Sequence, residues 1–159
     1  ALPTLFALGP NATPKPWRDA LATLPADAPL VRILVYRSGV AAGDTEDDAR
    51  WLAEKAAALR IFPDDAGLMN RSVRDIAGDI LVISQFTLIA STRKGTRPSF
   101  NDAAKPDLAR PLYEKFLAHL ESPAVLGRPV ARGEFGADMK VALVNDGPVT
   151  LILDSRQRD

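Results

Sequence analysis

Two short polar segments, each set into an apolar run, are the parts of this sequence best suited to chemistry. Residues 84–88 read SQFTL, and residues 145–150 read NDGPVT. The chain has no cysteine and one histidine, so most combinations of nucleophile, base and orienting group cannot be assembled from it. The two segments therefore predict a site built from main-chain groups at the ends of strands.

The dipeptide Gly147-Pro148 begins an apolar run, which is a natural place for a residue that cannot donate to a β-ladder. One interpretation is a tight turn. The other is a cis peptide bond, because the penalty for the cis form falls to about 0.5–1 kcal/mol before proline. A cis bond would turn the two flanking carbonyl oxygens in one direction and create a rigid acceptor pair for an ammonium group. The residues alone favour the tight turn and leave the cis bond as the alternative.

The segment at 84–87 offers two kinds of chemistry. A hydroxyl of Ser84 or Thr87 would be a nucleophile only with a base, and His119 falls near the end of a predicted helix. Main-chain N–H groups could instead stabilise an oxyanion during ester cleavage, provided that ladder pairing stops at this strand end. The main-chain interpretation is favoured, and an esterase that uses His119 is the alternative.

A basic loop follows this segment and carries Arg93, Lys94 and Arg97. The chain as a whole is neutral, with 20 Lys and Arg against 20 Asp and Glu, so it has no global attraction for nucleic acid and DNA is not an expected partner. The loop is the kind of local patch that a neutral protein would need to grip phosphates, and a merely solvated loop is the alternative.

Other classes of site find little support. Phe135 and Met139 could offer a stacking surface to a nucleobase or belong to the core. The sequence contains no glycine-rich nucleotide fingerprint, P-loop or zinc spacing, so we expect no cofactor and no metal. No apolar run approaches the roughly 20 residues that span a bilayer, and we expect a soluble, cytoplasmic protein without a membrane partner.

Hydrophobic periodicity predicts the elements that position these segments. Both faces of the strongest strand are apolar as far as Ser84, which is typical of a central strand. Asp44 and Thr45 are suited to cap the first main helix. The tail at 156–159 is expected to be frayed. The predicted elements are strands at 2–8, 30–36 and 80–89, helices at 17–24, 46–60 and 108–120, and a hairpin of strands 139–144 and 149–153.

Four motifs in this order resemble those of the bacterial and eukaryotic type of D-aminoacyl-tRNA deacylase. The resemblance covers roughly residues 40–155 and implies a mixed α/β single domain with two main helices and a largely antiparallel sheet of barrel-like curvature. That single domain would span residues 1–159, with an atypical segment at 1–39. The motifs are SQFTL at 84–88, KGTRPSF at 94–100, FGADM at 135–139 and NDGPVT at 145–150.

The resemblance implies hydrolysis of the ester that joins a D-amino acid, or glycine mischarged on tRNA-Ala, to the 3′ end of tRNA. It implies a homodimer with sites at the interface, where the Gly-cis-Pro motif of the partner subunit holds the amino group and rejects L-amino acids. N–H groups near Phe86 and Thr87 would be the oxyanion donors, and the terminal ribose 2′-hydroxyl would assist the attacking water. The expected catalytic residues are Ser84, Gln85, Phe86 and Thr87. The expected substrate-binding residues are Gly147, Pro148, Phe135, Met139, Arg93, Lys94 and Arg97.

The beginning of the chain departs from the family pattern. Residues 1–30 contain no counterpart of the family's opening Gln-Arg-Val strand, so the arginine that positions the Gly-Pro loop is missing. Arg32 and Arg37 interrupt the stretch at 31–39, which aligns loosely with the family's third strand. The alternative function is therefore a non-catalytic relative that binds tRNA ends or a partner protein.

Overall fold

The structure is a computed structural model and describes residues 33–141 and 149–158. The predicted strand at 2–8, the predicted helix at 17–24 and the isomer of the Gly147-Pro148 bond lie outside these residues. Backbone proximity divides the chain into two units. The larger contains the described residues 33–137 and 152–158, and the smaller contains 138–141 and 149–151. The assignment of 1–159 to one domain stays a prediction.

The described elements alternate between strands and helices along the chain. In order they are β1 (Ile33–Ser38), α1 (Glu46–Ala58), β2 (Phe62–Pro63), β3 (Met69–Arg71), β4 (Asp79–Ser84), a 3-10 helix η1 (Phe86–Leu88), α2 (Pro106–Glu121) and β5 (Ala131–Arg132). In the larger unit β4 pairs with β1 on one side and with β5 on the other, so it is the central strand of its sheet, as predicted. Ile80, Val82 and Ile83 of this strand are buried.

The predicted sheet differs from the observed one. The three-stranded sheet is parallel, whereas a largely antiparallel sheet was expected. Helix α1 connects β1 to β4 and α2 connects β4 to β5, and such crossovers return the chain in the same direction. Antiparallel pairing within the described residues is confined to β2 with β3 and to two isolated bridges. The sheet is small and not closed, so barrel-like curvature has no support. A mixed α/β fold with two main helices is what the described residues show.

The start of α1 is fixed by the capping residues that the sequence predicts. The carboxylate of Asp48 accepts hydrogen bonds from the N–H of Thr45 at 2.8 Å and from its hydroxyl at 2.7 Å. Asp44 accepts from the N–H of Ala41 at 2.8 Å. The acidic first turn therefore serves to begin the helix, where N–H groups lack backbone partners.

Helix α2 supplies the larger side chains of the core, and α1 meets the core with alanines. Phe116 of α2 stacks on Tyr36 of β1 with ring centroids 4.7 Å apart. The hydroxyl of Tyr113 donates to the carbonyl oxygen of Val82 at 3.2 Å, and burial raises the pKa of this hydroxyl so that it keeps its proton. Pro111 lies within α2 and removes one main-chain donor without ending the helix. The buried alanines of α1 are Ala49, Ala53, Ala56 and Ala57.

The C-terminal tail is tied to the start of α1, so the prediction of a frayed end is wrong for the residues described. Arg156 donates to the carbonyl oxygen of Ala42 and to Asp44, at 2.9 and 2.8 Å. Arg158 donates to Asp47 and Asp48 at 3.1 and 3.2 Å. These contacts join residues more than a hundred positions apart in sequence, and we call this pairing the C-terminal strap.

The predicted hairpin at 139–153 is only partly described. Its turn and the ends of both strands fall in residues 142–148, which the structure does not describe. The described flanks, 139–141 and 149–153, carry no strand. Within the described residues, no helix is long and apolar enough to cross a membrane.

The strap and the helix cap make acid stability depend on Asp48. Hydrogen bonds from Thr45, more than the ion pair with Arg158, lower the pKa of Asp48 to about 2. Because the pKa of Asp48 is lower in the folded state than in the unfolded state, its ionised carboxylate stabilises the fold at pH values above the ordinary carboxyl pKa. That stabilisation is lost as pH falls from about 4 through about 2. Asp48→Asn should therefore lower the free energy of unfolding at pH 7 by roughly 1 kcal/mol, and the difference from wild type should be much smaller at pH 2.

Urea denaturation from pH 7 to pH 2 measures this difference. Asp65→Asn is the matched control, because Asp65 is 93% exposed and pairs only with Arg71 among the described residues. If the free energies of unfolding of Asp48→Asn and wild type differ by the same amount at pH 2 as at pH 7, the charge of the Asp48 carboxylate is not the cause of the stabilisation.

Candidate active site

The ladder between β1 and β4 stops where the SQFTL segment begins. Ser38 is the last residue of β1 and pairs with Ser84, the last residue of β4. One further bond crosses between the strands, from the N–H of Gln85 to the carbonyl oxygen of Ser38 at 2.7 Å. The sequence predicted a strand as far as residue 89, and this is wrong, because residues 86–88 form a 3-10 helix instead.

The turn leaves two main-chain N–H groups without backbone acceptors. It is closed by bonds from the N–H of Leu88 to the carbonyl of Gln85 at 3.2 Å and from the N–H of Ile89 to that of Phe86 at 3.0 Å. Within the described residues, the N–H groups of Phe86 and Thr87 donate to no backbone oxygen. These are the two groups that the family resemblance implies as oxyanion donors, and pairing stops where the chemistry would need it to stop.

Gly39 lets the turn lie directly on the end of β1. A Cβ atom at position 39 would come within 3.1 Å of the Leu88 Cβ, 3.2 Å of the Ile89 Cδ1 and 3.3 Å of the Gln85 carbonyl oxygen. These distances are tighter than ordinary van der Waals contact, so a side chain at this position would require the turn to shift by a few tenths of an ångström. Sequence reasoning missed this role, although a glycine close to the end of a predicted strand was a signal for it.

Two side-chain hydrogen bonds brace the turn. The Nε2 of Gln85 donates to the Oγ1 of Thr87 at 2.5 Å. The Nη1 of Arg37, on β1, donates to the Oε1 of Gln85 at 3.4 Å. The sequence treated Arg37 as an interruption of an apolar strand, yet its side chain reaches the candidate site. Ser84 is half-buried and ends the strand.

The single histidine is near a different group of residues. His119 lies in the last turn of α2, and its Nε2 is 3.6 Å from the Oε1 of Glu46 in the first turn of α1. Lys115 contacts the same carboxylate at 3.1 Å. No hydrogen bond joins His119 to Ser84 or Thr87 in the part of the chain that is described, so a histidine-activated hydroxyl gains no support.

The basic loop is pinned at its base beside the turn. Ser91 and Ser99 exchange two main-chain hydrogen bonds of 2.8 and 2.9 Å, which close the loop that carries the basic residues. Phe100 then meets Phe86 edge-on, with ring centroids 5.3 Å apart. The cations are exposed, and none forms an ion pair with a carboxylate of the described residues. They are Arg93, Lys94 and Arg97.

Phe135 belongs to the edge of the core. Its ring centroid is 5.6 Å from that of Tyr113, and the guanidinium of Arg110 lies 5.0 Å from its centroid. These neighbours favour a packing role over an open stacking surface. Met139 lies in the smaller unit and is half-buried, so its part in base stacking stays a prediction.

The remaining expected substrate contacts are not described, because Gly147 and Pro148 fall within residues 142–148. The turn itself exposes apolar side chains, with Phe86 59% and Leu88 54% exposed. Large apolar groups at this exposure are suited to contact with a substrate or a second chain.

Comparisons with known proteins agree on one family. A family profile described as D-Tyr-tRNA(Tyr) deacylase matches residues 31–154, so the likeness begins before the position 40 that the motifs suggested. The D-aminoacyl-tRNA deacylase of Opitutus terrae is 62% identical over 130 residues, which cover 82% of this chain and 85% of that protein. The D-aminoacyl-tRNA deacylase of Akkermansia muciniphila is 59% identical, with 79% of this chain and 83% of that protein covered.

Solved structures show the same fold. A structure described as c-Myc DNA unwinding element binding protein matches with a TM-score of 0.67 and 35% identity, over 76% of this chain and 80% of that one. A probable eukaryotic D-amino acid tRNA deacylase matches at 17% identity with a TM-score of 0.56, over 73% of this chain and 80% of that one, and supports the fold alone. From the profile match and the curated relatives together, the chain belongs to the D-Tyr-tRNA(Tyr) deacylase family.

Proposed function

We propose that this chain hydrolyses the ester bond of D-aminoacyl-tRNA and releases the free D-amino acid and tRNA. The observation that carries the function is the family match over residues 31–154, with relatives named D-aminoacyl-tRNA deacylase at 52–62% identity. The SQFTL turn, with its two unpaired N–H groups, supports the chemistry. Glycine attached to tRNA-Ala fits the same site, because it has no side chain to be rejected.

The reaction would rely on main-chain groups. Attack of water on the ester carbonyl develops negative charge on its oxygen, and the N–H groups of Phe86 and Thr87 donate to that oxyanion. One well-placed donor of this kind is worth about 10²–10³ in rate. The family resemblance implies that the ribose 2′-hydroxyl of the substrate assists the attacking water, and a mechanism of this kind needs no side-chain base at the turn. Gln85 and Ser84 shape the turn around the ester.

Selection of D-amino acids would come from a second subunit. Gly147 and Pro148 of the partner subunit hold the substrate amino group, and their rigid geometry leaves no room for an L side chain. Exposure of Phe86 and Leu88 beside the turn supports a homodimer whose interface contains the site. The enzyme would act in the cytoplasm, where aminoacylated tRNA is used.

The basic loop would hold the tRNA end. Its three cations contact phosphates of the single-stranded 3′ terminus, which positions the ester over the turn without adding sequence preference. The contact between Phe100 and Phe86 supports this arrangement, since it keeps the base of the loop next to the oxyanion donors.

The first prediction concerns handedness. The full-length protein should release D-tyrosine from D-Tyr-tRNA and leave L-Tyr-tRNA essentially intact, because the amino group of the L form cannot be held with its side chain in place. A deacylation assay with both substrates on the same tRNA measures this. Equal rates would reject the chiral mechanism, and tight tRNA binding without turnover would favour the non-catalytic alternative.

The second prediction concerns Thr87. If its hydroxyl is not a nucleophile, Thr87→Ala should keep kcat within about tenfold of wild type, because the main-chain N–H remains. Removal of a covalent nucleophile typically costs 10⁴-fold or more, so the two mechanisms are well separated. Thr87→Ser is the matched control and should be closer to wild type. Near-total loss in Thr87→Ala with an intact fold, checked by circular dichroism, would support covalent catalysis.

The third prediction concerns the basic loop. Replacing Arg93, Lys94 and Arg97 by Gln should raise KM for D-Tyr-tRNA about tenfold and change kcat little, because the contacts to phosphate contribute to binding and not to the chemical step. Each lost phosphate contact also lowers the slope of log affinity against log salt concentration by about 0.7. Binding measured from 50 to 200 mM salt should therefore show a slope smaller by about 2 in logarithmic terms. The control variant replaces Arg50, Arg60 and Arg74 by Gln. It has the same net charge as the loop variant, and its KM and salt dependence should match those of wild type. An equal effect of both triple variants would show that only net charge matters.

A further inference from the structure

A pair of side-chain hydrogen bonds connects β1 to the turn that carries the oxyanion donors. Arg37 donates to the Oε1 of Gln85 at 3.4 Å, and the Nε2 of Gln85 donates to the Oγ1 of Thr87 at 2.5 Å. Arg37 lies opposite Ile83 in the ladder, one pair before its end. Its backbone is therefore held within the paired part of β1, and its side chain reaches forward to the turn.

The chemistry of the guanidinium decides how the Gln85 amide is oriented. An arginine has donors and no acceptor, so only the Oε1 of Gln85 can face it. The amide nitrogen then faces Thr87, whose oxygen accepts that bond, and the Thr87 hydroxyl hydrogen is left to point elsewhere. With the amide reversed, Thr87 would have to donate, and the arginine would face an NH₂ group with which it cannot pair.

The amide also spans the turn itself. Gln85 precedes η1 and Thr87 lies inside it, so the bond between their side chains closes over Phe86. The direction of the Phe86 and Thr87 N–H groups depends on the shape of this short segment. An oxyanion donor acts at full strength only when it is aimed at the developing charge before the reaction begins.

We infer that Arg37 is a positioning residue for ester hydrolysis, acting by fixing the Gln85 amide so that the Gln85-to-Thr87 bond holds the oxyanion-donor turn in shape. The inference rests on the proposed deacylase function and deepens it. Arg37 itself touches neither the ester nor the reacting water. Arg37 should therefore affect the rate of the chemical step, kcat, and not the binding of the substrate.

Steady-state kinetics with D-Tyr-tRNA distinguish positioning from simple attraction of tRNA. Arg37→Leu should lower kcat about threefold to tenfold and leave KM within about twofold, because it removes the exposed, charge-assisted hydrogen bond to Gln85 while the main-chain bonds of the turn remain. Arg37→Lys keeps a donor without an acceptor and should recover part of kcat. Arg50→Leu removes the same charge from the exposed face of α1, where Arg50 pairs with Asp47, and should match wild type. A rise in KM at unchanged kcat would overturn the inference.

A double-mutant cycle tests whether Arg37 acts through the turn. If Arg37 works by way of Gln85 and Thr87, the variant that combines Arg37→Leu with Thr87→Ala should be no slower than the slower single variant, because both changes break the same brace. Losses that multiply would show that the two residues act independently and would reject the inference.

A measurement on the free protein separates this inference from the proposed function. The side-chain NH₂ signals of Gln85, observed by ¹⁵N-edited NMR, should shift and exchange faster with solvent in Arg37→Leu than in wild type or Arg50→Leu. Unchanged Gln85 signals would overturn the role of Arg37 even in an active enzyme. Changed signals in a protein that cleaves no D-Tyr-tRNA would leave the brace in place and reject the function alone.

Discussion

The hydrogen bond from the Gln85 N–H to the Ser38 carbonyl oxygen ends the ladder between β1 and β4, and the rest of the site depends on that ending. One more ladder bond in the same direction would engage the N–H of Thr87, which is one of the two proposed oxyanion donors. Gly39 follows the end of β1 and presents no side chain to Gln85, Leu88 and Ile89, which lie close above it. The parallel pairing matters as well, since it brings the C-terminal ends of β1 and β4 to the same edge of the sheet.

The sequence predicted those elements whose signals are local. The cap at Thr45, the helices and the central strand follow from side-chain chemistry and spacing within a few residues. The end of β4 could not be predicted in this way, because the apolar run continues to Ile89 and only the length of the neighbouring strand decides where pairing stops. Strand direction was likewise set by the crossover helices and not by the strand residues. The strap formed by Arg156 and Arg158 was missed because its carboxylate partners lie far away in sequence.

The same distinction applies to the site. The SQFTL segment was identified as the place of chemistry, and its N–H groups are unpaired in the described structure as the main-chain mechanism requires. The role of Arg37 was not predicted, because an arginine in an apolar strand has no evident partner in the local sequence. Its partner is Gln85, which follows the end of the neighbouring strand β4. The sequence could not decide whether Phe135 stacks on a nucleobase or packs in the core, and its contacts with Tyr113 and Arg110 favour the core. Gly147 and Pro148 lie outside the described residues, so the sensing of handedness still rests on the family motif.

In the proposed mechanism, the binding of tRNA and the cleavage of the ester use different parts of the protein. The formal net charge is +0, and several cations are bound to carboxylates at the start of α1 and in the strap. Those of the basic loop have no such partner among the described residues, so their field is available to phosphates beside the turn. The turn itself offers dipoles in place of charges. A donor fixed by the main chain needs no change of protonation during the reaction, which suits a protein whose single histidine lies in the last turn of another helix. Such a site tolerates the absence of catalytic side chains, but it depends closely on the residues that hold the backbone in place.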